Sequence, residues 1–219
     1  PMTGKSGKAR IRENDGFTEV FIQLHSGESI NLKTFTQKDV EVTEWEYWEP
    51  TTDNFDLAGN WEFSFSGDPI NPSVTLETPI SWTELSLPEA RTFMGTGVYK
   101  TEFVLNTSIK NTEWMIDLGD VRESARLRIN GEEVAVLWAV PFRQLIGRYL
   151  KPGRNTIEIE VTNLPANKIA EMDRRNVPRR NFKEINMVDI NYKKADYSNW
   201  EPMPAGLLCP VKIIPMKRI

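Results

Sequence analysis

Strict alternation of apolar and polar side chains recurs along this chain and restricts it to a strand-rich fold. The pattern is clearest at residues 156–162, where Ile157, Ile159 and Val161 alternate with Glu158 and Glu160. Successive strand side chains point to opposite faces, so this segment is predicted to bury one face and solvate the other. The same period predicts strands at 61–65, 73–77, 97–105, 114–118, 125–129, 134–138 and 207–214.

Turn signals separate these predicted strands. Asn130-Gly131 lies between two of them, and Asn-Gly indicates a hairpin because both turn residues need a positive φ. The sequence KPGRN at 151–155 predicts another turn, and helical periodicity is confined to about 167–175. Many short strands with regular turns and little helix predict an all-β sandwich.

The first quarter of the chain is predicted to form a separate unit. Residues 18–24 and 29–34 have strand patterns on either side of a turn at 25–28, which predicts a β-hairpin, and 41–48 alternates again. The polar, turn-rich sequence PTTDN follows at 50–54. We therefore predict a hairpin extension, or the tail of a preceding domain, at residues 1–54 and a sandwich at residues 55–219.

Composition excludes several classes of function. Lys and Arg number 27 against 31 Asp and Glu, so the net charge of -4 argues against a whole-chain nucleic-acid surface. A single His, His25, and a single Cys, Cys209, exclude metal sites built from several imidazoles or thiolates. No apolar run reaches the roughly 18–20 residues of a membrane-spanning helix. We expect no metal, no cofactor, no nucleic-acid partner and no membrane span.

Four segments in a fixed order carry a resemblance to a known domain type. They read GVYKTEF at 97–103, IDLGDV at 116–121, ARLRINGEEV at 125–134 and LKPGRNTIEIEVTN at 150–163. From about residue 61 the chain resembles the β-sandwich sugar-binding domain of family 2 glycoside hydrolases. This resemblance implies a jelly roll of the galactose-binding-like type.

A closer resemblance is to the C-terminal end of α-L-rhamnosidases of the glycoside hydrolase family numbered 106. It rests on GES at 27–29, SWTE at 81–84, LWAVPF at 137–142 and GLLCPV at 206–211. It implies an exported polysaccharide-degrading protein whose catalytic carboxylates lie on a preceding barrel domain, and nothing in this chain matches that barrel. We therefore expect no catalytic centre here and a catalytic domain of the parent chain as partner.

Trp138 and Arg143, just after a predicted strand, are the first candidate carbohydrate-binding residues. An exposed indole stacks on a sugar ring and a guanidinium binds hydroxyls, and small-molecule sites combine such an apolar surface with a few polar groups. The favoured alternative is that Trp138 packs under its loop and Arg143 pairs with a local acid, because Trp is highly buried on average.

A basic stretch at 173–183 provides the second group. Its cations are Arg174, Arg175, Arg179, Arg180 and Lys183. It predicts a uronic-acid-containing glycan bound by guanidinium forks, docking onto an acidic domain, or a solvated loop. Trp200, in YSNWEP at 197–202, is either a sugar platform or a cover for a sheet edge.

Paired carboxylates on predicted strands are weak catalytic candidates. Glu44 with Glu46, and Glu158 with Glu160, lie two residues apart, as on any amphipathic strand. The sequence therefore predicts a non-catalytic sandwich domain that braces the catalytic domain of a glycoside hydrolase and contacts carbohydrate through its loops. The alternative is an autonomous carbohydrate-binding module for acidic or rhamnose-rich glycans, which exposure of Trp138 and Trp200 around a groove would favour.

Overall fold

Two antiparallel sheets dominate the computed structural model, which describes residues 4–36, 41–51, 55–57, 59–67, 73–105, 113–178 and 195–219. The strands in chain order are β1 (Ile11–Asn14), β2 (Phe17–Val20), β3 (Trp48–Pro50), β4 (Phe55–Asp56), β5 (Trp61–Phe65), β6 (Val74–Leu76), β7 (Thr96–Leu105), β8 (Glu113–Asp117), β9 (Val121–Arg122), β10 (Ser124–Ile129), β11 (Glu132–Leu137), β12 (Arg143–Leu145), β13 (Gly153–Thr162), β14 (Gly206–Leu207) and β15 (Lys212–Arg218). This confirms the all-β sandwich predicted from the sequence.

Strand pairing assembles one larger and one smaller sheet. The six-stranded sheet has the order β11-β10-β13-β7-β5-β6, and the second sheet has the order β12-β8-β15-β3, with β4 also paired to β15. Two short pairs, β1 with β2 and β9 with β14, lie outside these sheets, and Lys8 and Glu44 form an isolated parallel bridge. The helix α1 (Ala166–Arg174) and three 3₁₀ turns, at Trp82–Glu84, Pro88–Thr92 and Gly147–Tyr149, lie in the connections. Among the described residues no helix is long and apolar enough to cross a bilayer.

The core lies between the two sheets. Ile157, Ile159 and Val161 of β13 are buried, as the alternation predicts, and they share one cluster with Ile116 of β8 and Ile213 of β15. Burial of these apolar faces supplies the main driving force for folding. Both sheets therefore depend on the same packed interior.

The two turn motifs behave as predicted. Asn130 and Gly131 both have a positive φ between β10 and β11. The KPGRN turn is built around Asn155, which is fully buried. The Asn155 side chain accepts from the Lys151 amide at 2.9 Å and donates to the carbonyls of Lys151 and Gly153 at 2.8 and 3.0 Å. Its buried polar atoms are thereby satisfied by the turn it closes.

The N-terminal hairpin forms earlier in the sequence than predicted, at residues 11–20 and not at residues 18–34. It joins β1 to β2 through Asp15-Gly16, two residues with positive φ, whereas the described residues 21–36 form no strand. Within the predicted strand at 41–48 only Trp48 enters β3. The side chain of Gln23 bonds both the amide and the carbonyl of Trp48, so a side chain takes the place of a ladder partner.

The predicted domain boundary falls partly outside the described residues, which omit 52–54. Immediately before it, β3 pairs with β15, the last strand of the sandwich. The division into 1–54 and 55–219 stays a prediction. The second sheet contains strands from both sides of this boundary, because β3 precedes it and the other strands follow it.

Packing around Gly97 provides a test of the core. A Cβ at this position would lie 2.6 Å from Cζ3 of Trp82 and 2.8 Å from Cε2 of Phe63, both on fully enclosed rings. We expect Gly97→Ala to lower the free energy of unfolding by about 1–3 kcal/mol because overpacked cores force side chains out of position. Urea denaturation measures this. The control Ser64→Ala, on the neighbouring strand, should change stability by less than about 0.5 kcal/mol, and equal losses would contradict the packing.

Candidate functional site

Two of the described candidates, Trp138 and Arg174, follow strands that finish at one end of the six-stranded sheet. There β13 ends at Thr162, which pairs with Ser124 at the start of β10 and with Thr96 at the start of β7. The helix α1 begins four residues after β13, and β11 ends at the same edge with Leu137, opposite Ala125. Loops that carry function typically gather at such an end of a rigid scaffold.

A groove of about 580 Å³ opens at this end, and we call it the α1 groove. It lies between the 3₁₀ turn Pro88–Thr92, the helix α1 and the loop at 197–202. The charged residues that line it are Arg91, Glu171, Arg174 and Glu201, and Trp200 is the aromatic residue of the lining.

Side chains of α1 fix the loop at 197–203, which we call the clamped loop. Asn167 accepts from the amide of Met203 and donates to its carbonyl, both at 2.8 Å. Arg174 donates through Nε to the carbonyl of Ser198 at 2.8 Å and through Nη2 to the carbonyl of Trp200. Bonds to both ends of a short segment hold its backbone in one arrangement.

Asp173 and a ring contact complete this fixation. Asp173 accepts from the amide of Tyr197 at 3.0 Å. The rings of Tyr197 and Trp200 have their centroids 4.5 Å apart. Trp200 nonetheless keeps 48% of its surface exposed, and it is one of the residues that line the α1 groove.

The described cations of the basic stretch at 173–183 therefore differ in their positions and contacts. Arg174 lies in the groove, but its donors are engaged by backbone carbonyls and by Glu171 at 3.5 Å, so it acts as a positioning residue for the clamped loop. Arg175 is exposed just beyond α1 and does not line the groove. The predicted cations Arg179, Arg180 and Lys183 lie outside the described residues.

Trp138 and Arg143, which we treat as a second group, do not line the α1 groove. Trp138 is 62% exposed, so the favoured alternative, in which Trp138 packs under its loop, is wrong. Arg143 does pair with a local acid, donating from Nε to Asp117 at 2.7 Å, and its Nη1 lies 3.4 Å from Nδ1 of His25. No hydrogen bond or ion pair between described residues joins this group to the α1 groove.

Two acidic side chains at and just after the end of β8 pair with basic neighbours. Asp117 pairs with Arg143, and Asp120 pairs with Arg122 at 2.6 Å. The described residues contain no group of three side chains suited to hold a metal ion.

The candidate carboxylates of β13 lie in a charge ladder. Glu158 accepts from Lys100 and from Arg128, each at 2.8 Å, and Glu160 also binds Arg128. The hydrogen bond from Lys100 holds the pKa of Glu158 below its ordinary value of 4.5. A general acid of a glycosidase needs the opposite shift, a raised pKa.

The sequence patterns did not indicate three charged residues of the groove lining, which are Arg91, Glu171 and Glu201. Arg91 lies in PEART at 88–92, a segment with neither strand nor helix periodicity. Tertiary packing alone brings it opposite α1, and no local signal indicates this.

Comparison with known proteins shows one curated relative and several structural neighbours. A Formosa agariphila protein named "Putative beta-glucuronidase" is 27% identical over 225 residues, which is 94% of this chain and 19% of the relative. A rhamnosidase from Novosphingobium sp. PP1Y has the same fold with a TM-score of 0.66 at 22% identity, over 97% of this chain and 20% of that one. A beta-D-glucuronidase from Dictyoglomus thermophilum gives a TM-score of 0.53 at 22% identity, over 82% of this chain and 29% of that one.

These matches establish a shared fold, and they show that this chain is much shorter than the proteins it matches. No family model matches the chain. The chain spans about a fifth of the length of the curated relative and of the rhamnosidase, while almost all of its own length is matched. Its β-sandwich is therefore a fold that also occurs as one part of larger glycoside hydrolases.

The Glu158 ladder makes the stability of the chain depend on pH. A carboxylate with a lowered pKa in the folded state contributes stability above its unfolded pKa and loses it as pH falls through the folded one. We expect the free energy of unfolding to fall below about pH 4.5, with a shallower fall in Glu158→Gln. Urea titrations from pH 7 to acid measure the slope. Glu102→Gln, which removes an exposed pair on the neighbouring strand β7, is the control, and equal slopes in both variants would contradict the ladder.

Arg174 is expected to control the motion of the clamped loop. Arg174→Ala removes two side-chain bonds to loop carbonyls, so amide exchange at residues 197–203 should accelerate by about tenfold or more, since each lost charged hydrogen bond costs about 1.5–3 kcal/mol. Hydrogen exchange with mass spectrometry resolves this segment. Arg175→Ala should leave its exchange unchanged, and acceleration in both variants would count against the clamp.

Proposed function

We propose that this chain is a non-catalytic β-sandwich domain of a larger glycan-degrading enzyme of the α-L-rhamnosidase type, where it braces the catalytic domain. The domain type is the galactose-binding-like jelly roll, the parent protein is a glycoside hydrolase of the family numbered 106, and it is exported. The ordered motifs from GES at 27–29 to GLLCPV at 206–211 support this proposal, as does the rhamnosidase fold.

One observation carries the bracing role: the N-terminal segment 11–42 turns large apolar side chains toward solvent. Its described part contains eight such residues, each at least 42% exposed: Ile11, Phe17, Phe21, Ile22, Leu24, Leu32, Phe35 and Val42. Soluble monomers rarely leave so much apolar surface in one region unless it meets a partner. We call this segment the docking segment.

The docking segment is held to the sandwich while its apolar side chains face outward. Tyr47 donates its hydroxyl proton to the carbonyl of Phe21 at 3.0 Å and accepts from the amide of Arg10 at 3.2 Å. Gln23 bonds both backbone groups of Trp48. The sandwich therefore fixes the backbone of the segment, and the apolar surface is presented in a defined place.

The occupant of this surface is a neighbouring domain of the same polypeptide. The relatives contain this unit as about a fifth of a longer chain, which supports the proposal of another domain tethered beside it. Tethering raises the effective concentration of such a partner without requiring strong contacts. Interfaces between domains of one chain commonly bury about 600–1,500 Å², which eight large side chains are sufficient to supply.

Hydrogen exchange tests the docking segment. We expect amides at 11–36 to exchange more slowly in the longer polypeptide than in this chain alone, while β13 is protected in both. Phe17→Ser, at a side chain 74% exposed, should leave the isolated chain's stability within about 0.5 kcal/mol yet accelerate exchange in the longer polypeptide.

Val104→Ser is the matched control, because Val104 is exposed on β7 of the sandwich and outside the docking segment. It should leave the exchange of residues 11–36 unchanged. Identical exchange of the docking segment in the isolated chain and the longer polypeptide would overturn the bracing role.

A second candidate is an autonomous carbohydrate-binding module for acidic or rhamnose-rich glycans. The exposure of both Trp138 and Trp200 favours it. This candidate expects the amides of the docking segment to exchange equally fast in the isolated chain and in the longer polypeptide. The same hydrogen-exchange experiment therefore separates the two candidates.

A further inference from the structure

We infer that the α1 groove binds a neutral saccharide ring, with the indole of Trp200 as its platform. None of the lining residues belongs to the docking segment, and the inference rests on the carbohydrate contact proposed above, for which it names the site and the class of sugar. Its volume of about 580 Å³ lies within the roughly 300–1,000 Å³ of small-molecule sites. It suits one or two sugar rings.

The exposed indole is the first feature that points to a sugar. Trp200 leaves 48% of its surface open while its ring is supported by Tyr197 at 4.5 Å. The negative face of an aromatic ring attracts the weakly positive C–H groups of a pyranose. A supported indole in a polar groove therefore presents a surface that matches the apolar face of a sugar.

The polar lining is the second feature. Arg91 and Glu201 are exposed at the groove and have no hydrogen bond or ion pair with any described residue. Thr92 and Ser198 add neutral groups to the same lining. Sugar hydroxyls both donate and accept, so they satisfy a lining that contains donors and acceptors side by side.

The charge of the lining decides between neutral and acidic sugars. Arg91 and Arg174 are balanced by Glu171 and Glu201, and the Arg174 donors already bind loop carbonyls. A uronate carboxylate would meet two carboxylates and one uncommitted guanidinium. The groove therefore favours a neutral ring, which differs from the acidic glycan suggested by the basic stretch at 173–183.

The clamped loop makes the platform ready before any ligand arrives. Asn167, Asp173 and Arg174 fix the backbone on both sides of Trp200. A site that is already ordered loses less conformational entropy on binding, which raises its affinity. Arg174 thus serves binding through the loop and need not touch the sugar.

Calorimetry and saturation-transfer NMR on the whole chain test this site. The neutral probes are the methyl glycosides of L-rhamnose, D-galactose, D-glucose and D-xylose, and methyl D-glucuronide is the charged probe. We expect saturable millimolar binding of at least one neutral probe. Trp200→Ala should weaken it by about tenfold, the scale of losing one stacked ring on an aromatic platform.

Val104→Ser is the control, since Val104 is exposed on β7 and does not line the groove, and it should bind as the native chain does. Trp138→Ala tests the rival site at the other exposed indole, and binding at the α1 groove should survive it. Glu201→Ala should weaken binding without changing the thermal midpoint, which protects the test if Trp200→Ala disturbs the fold. Arg174→Ala should weaken binding together with faster exchange of the clamped loop.

Three results would overturn the inference. The first is that no neutral probe binds at millimolar concentration. The second is binding that survives Trp200→Ala and Glu201→Ala, or is lost equally in Trp138→Ala, which would place the site elsewhere. The third is preferred binding of methyl D-glucuronide that is lost in Arg91→Ala, which would make the ligand a uronate.

Discussion

Packing around Trp82 is the constraint on which the functional end of this sandwich depends. The indole is fully buried, and its backbone amide donates to the carbonyl of Ala205 at 3.0 Å. Two glycines make room for it, because a Cβ at Gly97 or Gly206 would lie within 3.0 Å of its ring. Trp82 opens the connection that leads to the 3₁₀ turn Pro88–Thr92, and Ala205 follows the clamped loop. The 3₁₀ turn Pro88–Thr92 and the clamped loop, which form two walls of the α1 groove, are therefore both connected to the buried residue Trp82.

The two surfaces assigned a function differ in how the fold presents them. The docking segment is an irregular stretch held by Tyr47 and Gln23, and it offers apolar side chains to a large partner. The α1 groove is small, polar and charge-balanced, and it offers one indole to a small ligand. A sandwich with few charged residues inside provides the rigid support that both surfaces need. The two proposals therefore assign the bracing of a neighbour and the contact with carbohydrate to different parts of the surface.

Sequence patterns predicted the sandwich because burial imposes a strict period of two on strands such as β13, and because Asn130-Gly131 requires a positive φ. They misplaced the N-terminal hairpin, since alternation at 18–24 carries no information on whether a backbone ladder or the side chain of Gln23 makes the bonds. Trp200 was identifiable as a loop aromatic. Arg91 was not, because its place in the groove arises from packing between segments far apart in sequence.

A structure of the longer polypeptide that contains this chain tests the central claim most directly. The account expects the eight apolar side chains of the docking segment to be buried against a neighbouring domain, with Trp200 still open to solvent in the α1 groove. A neighbouring domain seated over the groove, with Phe17 and Leu32 left exposed, would contradict both the docking segment as the bracing surface and the saccharide site.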